Sequence, residues 1–143
     1  MFKKILLAMD GSKHAKRALE YARDLALLEG AQVVVVYAFE KIPVWVGEPK
    51  LSEIVARHVN MGRDIATRAV KELQDADVDA SADVLEGPAA QAIIGAAEGS
   101  EADLIVMGSR GYGELTSLLL GSVSHRVLAH SDIPVMIVKA EED

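Results

Sequence analysis

Gly108-Ser109-Arg110-Gly111, followed after nine residues by Gly121-Ser122-Val123-Ser124, is the stretch of this chain best equipped for chemistry. It follows the apolar run 104–107 and opens a helical pattern. Glycine lets backbone N–H groups approach an anion with no side chain between, and a helix N-terminus offers unpaired donors and the positive end of its dipole. Ser122 and Ser124 place two hydroxyls behind the second glycine site, as a polyphosphate with several anionic groups would need. The same spacing also describes a glycine-rich loop that merely turns a strand into a helix, and spacing alone favours neither reading. Asp10, at the end of another apolar run, is the second candidate. Its carboxylate can face a ligand, or it can cap the helix that follows together with Ser12.

The elements that must position these groups alternate along the chain. A strand over 4–9 ends at Asp10-Gly11-Ser12, with Ser12 as the expected N-cap of a helix. That helix carries the stripe Ala15, Ala18, Leu19, Ala22, Leu25 and Ala26, and Gly30 stands where its C-terminal cap belongs. The β-branched run 33–36 reads as a strand buried on both faces. Ile54, Val55, Val59, Ile65, Ala66, Ala69, Val70 and Leu73 mark the longest helix. Val78, Ala80, Ala82 and Val84 alternate with Asp79, Ser81 and Asp83, which predicts an edge strand with one face to water. Pro88 then opens a helix with Ile93 and Ile94, closed by Gly99, before the strands 104–107 and 133–138. Five strands with long crossovers predict a single open parallel five-stranded sheet with helices on both faces, in the order 3-2-1-4-5. Ligands in such sheets bind at the carboxyl ends of the strands flanking the switch point, here the first and fourth. Asp10 and Gly108 both lie at those ends, so two features distant in sequence converge on one crevice and favour a nucleotide.

Composition narrows the field. A chain of 143 residues, 50% apolar, supports one domain with its own core, residues 1–143. Its 15 Lys and Arg against 22 Asp and Glu leave a net charge of −7, with no basic cluster to meet a nucleic-acid backbone. The absence of cysteine excludes disulfide and thiolate chemistry and is compatible with a reducing compartment. Lys3-Lys4 before an apolar run imitates a signal peptide only until Asp10 cuts the run short, and no stretch reaches membrane-spanning length. A soluble cytoplasmic protein without nucleic-acid or membrane partners is therefore expected. A dinucleotide fingerprint would need G-x-G-x-x-G after the first strand, where only Gly11 stands, and a P-loop would need Lys at the position of Glu114. His14, His58, His125 and His130 are not spaced as metal ligands and read as surface or core fillers. Trp45, with Ile42, Val44 and Val46 in a connecting segment, is expected to pack locally or to meet a second copy before serving as a lid. Thr116 and Ser117, between the glycines, read equally as phosphorylation sites and as ordinary exposed hydroxyls.

Over essentially its whole length the chain resembles the universal stress protein family, from Phe2-Lys3-Lys4-Ile5-Leu6-Leu7-Ala8-Met9-Asp10-Gly11-Ser12 to Ile133-Pro134-Val135-Met136-Ile137-Val138. The most specific element is the pattern G-2x-G-9x-G-[ST], met by Gly108, Gly111, Gly121 and Ser122. The resemblance implies a Rossmann-like, adenine nucleotide alpha hydrolase-like fold and membership of the ATP-binding branch, with ATP held with or without magnesium. It implies that Asp10 binds the ribose hydroxyls beside Ala8 and Met9, and that Ala38 lines the adenine pocket. It assigns the phosphates to Gly108, Gly111, Gly121, Ser122, Val123 and Ser124, with Arg110 assisting. Glu114 departs from the pattern, since an apolar or basic residue is expected there. The implied function is a nucleotide-dependent stress-response module that docks a regulatory protein partner and forms a homodimer through its last strand, residues 133–138. Two other readings stay open, a slow ATPase and a structural dimerisation module that binds no nucleotide. No pair of carboxylates that would activate water is evident, so the non-enzymatic reading leads.

Overall fold

A computed structural model describes residues 1–111 and 119–141 of the chain. Strands β1 (Lys4–Ala8), β2 (Gln32–Glu40), β3 (Ala80–Gly87), β4 (Leu104–Gly108) and β5 (Val135–Val138) form one sheet in the order β3-β2-β1-β4-β5. Every pairing is parallel. β1 and β4 lie at the centre, where all five residues of β4 and the last four of β1 are buried. That burial on both faces explains why neither strand alternates apolar with polar residues.

Helices α1 (Lys13–Glu29) and α2 (Lys50–Asp75) cover one face, and α3 (Ala89–Gly99) and α4 (Ser122–His130) the other. The predicted helical stripes are the packing surfaces. Ala15, Ala18, Leu19, Ala22 and Ala26 of α1 and Ala66, Ala69 and Leu73 of α2 meet Ile5, Leu7, Val33 and Val35. On the opposite face Ala90, Ile93 and Ala97 of α3 and Val127 of α4 meet Leu6, Ala8, Val36, Ile105 and Met107. Ser12 caps α1 by accepting from the Ala15 amide at 3.1 Å, and Gly30 ends it in the left-handed conformation at φ 67°.

Three expectations need correction. β3 starts at Ala80 rather than Val78, and Ala82 is exposed, so the apolar alternation does not track the buried face. The strand is nonetheless an edge. β5 starts at Val135, two residues later than expected, because Pro134 has no amide to donate and joins the ladder only through its carbonyl, which accepts from Ile105 N at 2.9 Å. Trp45 sits in a single 3-10 turn (Val44–Val46) with 85% of its surface exposed, so its own chain does not pack it.

Candidate functional site

The carboxyl ends of the strands build a small cleft, open to solvent, lined by 14 of the described residues. Its walls come from six segments: Ala8, Met9 and Asp10 at the end of β1, Ala15 of α1, Val36 and Ala38 of β2, Ala89 and Ile93 of α3, Met107, Gly108, Arg110 and Gly111 at the end of β4, and Val123 and Ser124 of α4. The lining combines the apolar residues Val36, Ala38, Ala89, Ile93 and Met107 with Arg110 and, among the described residues, one carboxylate, Asp10. Nine of the eleven residues singled out from sequence line it: Ala8, Met9, Asp10, Ala38, Gly108, Arg110, Gly111, Val123 and Ser124. Gly121 and Ser122 are not among the lining residues; they form the start of α4, with Gly121 at the N-cap and Ser122 exposed. Glu114, Thr116 and Ser117 lie outside the described residues.

Asp10 stands between the start of α1 and the cleft. Its Oδ1 accepts from the Ser12 amide at 2.8 Å, at the start of α1, while the residue lines the cleft. Its negative charge also reaches Tyr37, whose phenol is pushed up first by burial and then by Asp10.

Ser109 fastens the end of β4 to its neighbours. Its amide donates to Val138 O at 2.8 Å, extending the β4–β5 ladder, and its carbonyl accepts from Gly121 N at 2.6 Å and from Ser124 Oγ at 2.7 Å. The two glycine sites of the sequence pattern are thereby joined through one carbonyl. The hydroxyl hydrogen of Ser124 is directed to that carbonyl, or to Gly121 O at 3.1 Å, and so braces the start of α4. Gly108 has a packing role besides its place in the cleft. A Cβ there would stand 2.7 Å from His14 Cβ and 2.8 Å from Ala15 N, so only glycine lets β4 end against the first turn of α1.

Sequence reasoning missed His14, which it took for a filler. The side chain is buried at 4% exposure behind the glycine loop. Its Nε2 lies 2.9 Å from Arg110 Nη2, and its Nδ1 lies 2.8 Å from the Ala140 amide and 3.2 Å from Ser109 Oγ. Burial lowers its pKa from the ordinary 6.5, Arg110 and Lys13 lower it further, and Asp10 opposes them. The detectable signal was positional: His14 is the second residue of α1 and therefore sits at the same sheet end as Asp10. Ser109, Ala89, Ile93, Met107, Val36 and Ala15 were missed because small or apolar residues at strand and helix ends carry no chemical mark.

A family model described as the universal stress protein family matches residues 1–139. The chain belongs to the universal stress protein family. A family relative from Thermus aquaticus, the universal stress protein in the QAH/OAS sulfhydrylase 3′ region, is 44% identical over 139 residues, covering 97% of this chain and 100% of that one. The solved structure of MJ0577, a universal stress protein of Methanocaldococcus jannaschii, superimposes with a TM-score of 0.90 at 28% identity, over 100% of this chain and 99% of the other. A universal stress protein crystallised in complex with cAMP aligns with a TM-score of 0.69 at 25% identity, over 96% and 97% of the two chains. These structures share the five-stranded parallel architecture described above. No helix among the described residues is long and apolar enough to cross a membrane.

Proposed function

We propose that this universal stress protein binds ATP in the cleft, and that occupancy sets the conformation of the loop 110–120 and thereby the docking of a regulatory protein partner. The observation that carries the reading is the composition of one cleft: an apolar lining, a carboxylate and a glycine-framed loop end, contributed by β1, β2 and β4 and the helices over them. The apolar lining of Ala38, Val36, Ile93 and Met107 suits a purine. Asp10 suits the ribose diol, since an ionised carboxylate accepts and does not donate. Arg110, Gly111 and the N-terminus of α4 at Gly121, Ser122 and Val123 suit the phosphates. The full spacing from Gly108 to Ser122 supports a triphosphate, and the relative in complex with cAMP supports an adenine nucleotide. Magnesium would reach this site on the nucleotide.

The protein holds ATP in this reading and does not consume it. Asp10 is the single acidic residue among the described lining residues, and its Oδ1 accepts from Ser12 N, so no pair of carboxylates to activate water stands among them. Titration calorimetry decides the central point. The wild type should bind ATP, and Gly121→Val, which puts a branched side chain at the start of α4, should lose that binding while keeping its circular dichroism. Undiminished affinity in the variant would overturn the assignment of the phosphates. Multiple-turnover hydrolysis abolished by Gly121→Val would replace the holding role with an ATPase.

The same reading includes a homodimer through β5. This strand is a sheet edge, and Val135, Met136 and Ile137 are only partly buried by their own chain. An edge of that kind presents free backbone groups to a second copy.

A further inference from the structure

His14 is in a position that a neutral imidazole cannot fully satisfy. Arg110 Nη2 faces Nε2 at 2.9 Å, and the Ala140 amide faces Nδ1 at 2.8 Å. A guanidinium and a backbone amide are donors only, so each demands a lone pair on the nitrogen it faces. Neutral imidazole has one such nitrogen, the other carrying the hydrogen. Protonation makes both nitrogens donors and serves neither partner. Ser109 Oγ, 3.2 Å from Nδ1, is indifferent, because a hydroxyl can donate or accept. Arg110 and Ala140 therefore compete for one ring.

We propose that His14 is a positioning residue that links the phosphate side of the cleft to the segment following β5, by exchanging its tautomer when an anion draws Arg110 away. This rests on the reading of the cleft as a nucleotide site, and it names a regulation of that site. With Arg110 in place the charge-assisted contact wins. Nε2 accepts from the guanidinium, and Nδ1–H donates to Ser109 Oγ. The Ala140 amide then meets an N–H and is poorly satisfied. A phosphate competing for Arg110 releases Nε2, the hydrogen moves to Nε2, and Nδ1 accepts from Ala140. Ala140 lies two residues beyond Val138, whose carbonyl accepts from Ser109 N, so the change is delivered at the end of the edge strand. Coupling of this kind is reciprocal: whatever fixes the chain at Ala140 favours release of Arg110 and so strengthens anion binding.

The ring nitrogens report the tautomer directly in long-range proton–nitrogen NMR spectra of the full-length labelled protein, and amide exchange reports Ala140. The ligand-free wild type should show Nδ1–H. Arg110→Met removes the competing donor, and Arg110→Gln substitutes a carboxamide whose oxygen can accept from Nε2–H. Both variants should show Nε2–H, with Ala140 exchange slowed about fivefold, the effect of roughly one net hydrogen bond. Saturating ATP should do the same to the wild type. Nε2–H in the ligand-free wild type, or an unchanged tautomer and unchanged Ala140 exchange in both variants, would overturn the proposal. The Arg110 variants need no ligand. If ATP fails to bind the wild type while they switch the ring, the nucleotide reading falls and the competition for His14 stands.

Discussion

Asp10 touches both the helix start and the cleft, and the two contributions can be separated at this one residue. Asp10→Asn keeps an Oδ1 to accept from Ser12 N while removing the charge. We expect ATP to weaken by about 1.5–3 kcal/mol, the value of a charge-assisted hydrogen bond, and 2′,3′-dideoxy-ATP to change little. Calorimetry with the two ligands checks this, and an unchanged ATP affinity would assign Asp10 to capping alone, while equal losses would take its carboxylate off the ribose diol. Gly108→Ala should destabilise the fold by about 1–3 kcal/mol in denaturant titration, because the added methyl meets the α1 backbone and not a mobile side chain. His14 sets a pH dependence. Its folded pKa lies below the ordinary 6.5, so the unfolded chain binds more protons in acid. Its stabilising contribution is whole above about 6.5 and is lost as pH falls through that value toward the folded pKa. The denaturation midpoint of wild type should therefore drop more steeply between neutral pH and pH 5 than that of His14→Gln; parallel slopes would contradict it.

Among the elements, α4 and the end of β4 act as one unit through the Ser109 carbonyl. Ser124→Ala removes the 2.7 Å bond to that carbonyl but leaves the one from Gly121 N. Stability should fall by about 0.5–1.5 kcal/mol, with only a modest change in ATP affinity. A tenfold loss of affinity at unchanged stability would instead put the hydroxyl on the ligand. The legibility of the sequence follows the same division. Elements whose local signals agree with their packing were readable: α1 between Ser12 and Gly30, the buried strands β1 and β4, and the strand order that brings Asp10 and Gly108 together. Elements decided by tertiary context were not. β3 alternates in sequence, yet Ala82 is exposed and the strand runs on to Gly87 as far as β2 pairs with it. In the site, glycines and an acid announced themselves by type. His14 did not, because its role comes from Arg110 and Ala140, which are 96 and 126 residues away in sequence.

At the scale of the whole molecule, the sheet has one edge at β3 and one at β5. β5 is the shorter, with four residues against eight, and its side chains are aliphatic or Met, whereas β3 carries Asp83 and Glu86. Charge on β3 discourages pairing, and its absence on β5 permits it. The parent protein should sediment as a dimer at micromolar concentration and Val135→Lys with Ile137→Lys as a monomer; a monomeric parent would reject the dimer. The cleft also has a history during folding. Its lining runs from residue 8 to residue 124, and β1 meets its neighbour β4 through Ile5, Leu6 and Leu7 opposite Leu104, Ile105 and Val106, about a hundred residues away in sequence. Contacts of such sequence separation are slow to form. No partly built chain holds Asp10 opposite Gly108, so a ligand can recognise only the finished molecule. Bound nucleotide should then act as a brake on unfolding and on proteolysis while leaving the refolding rate where it was.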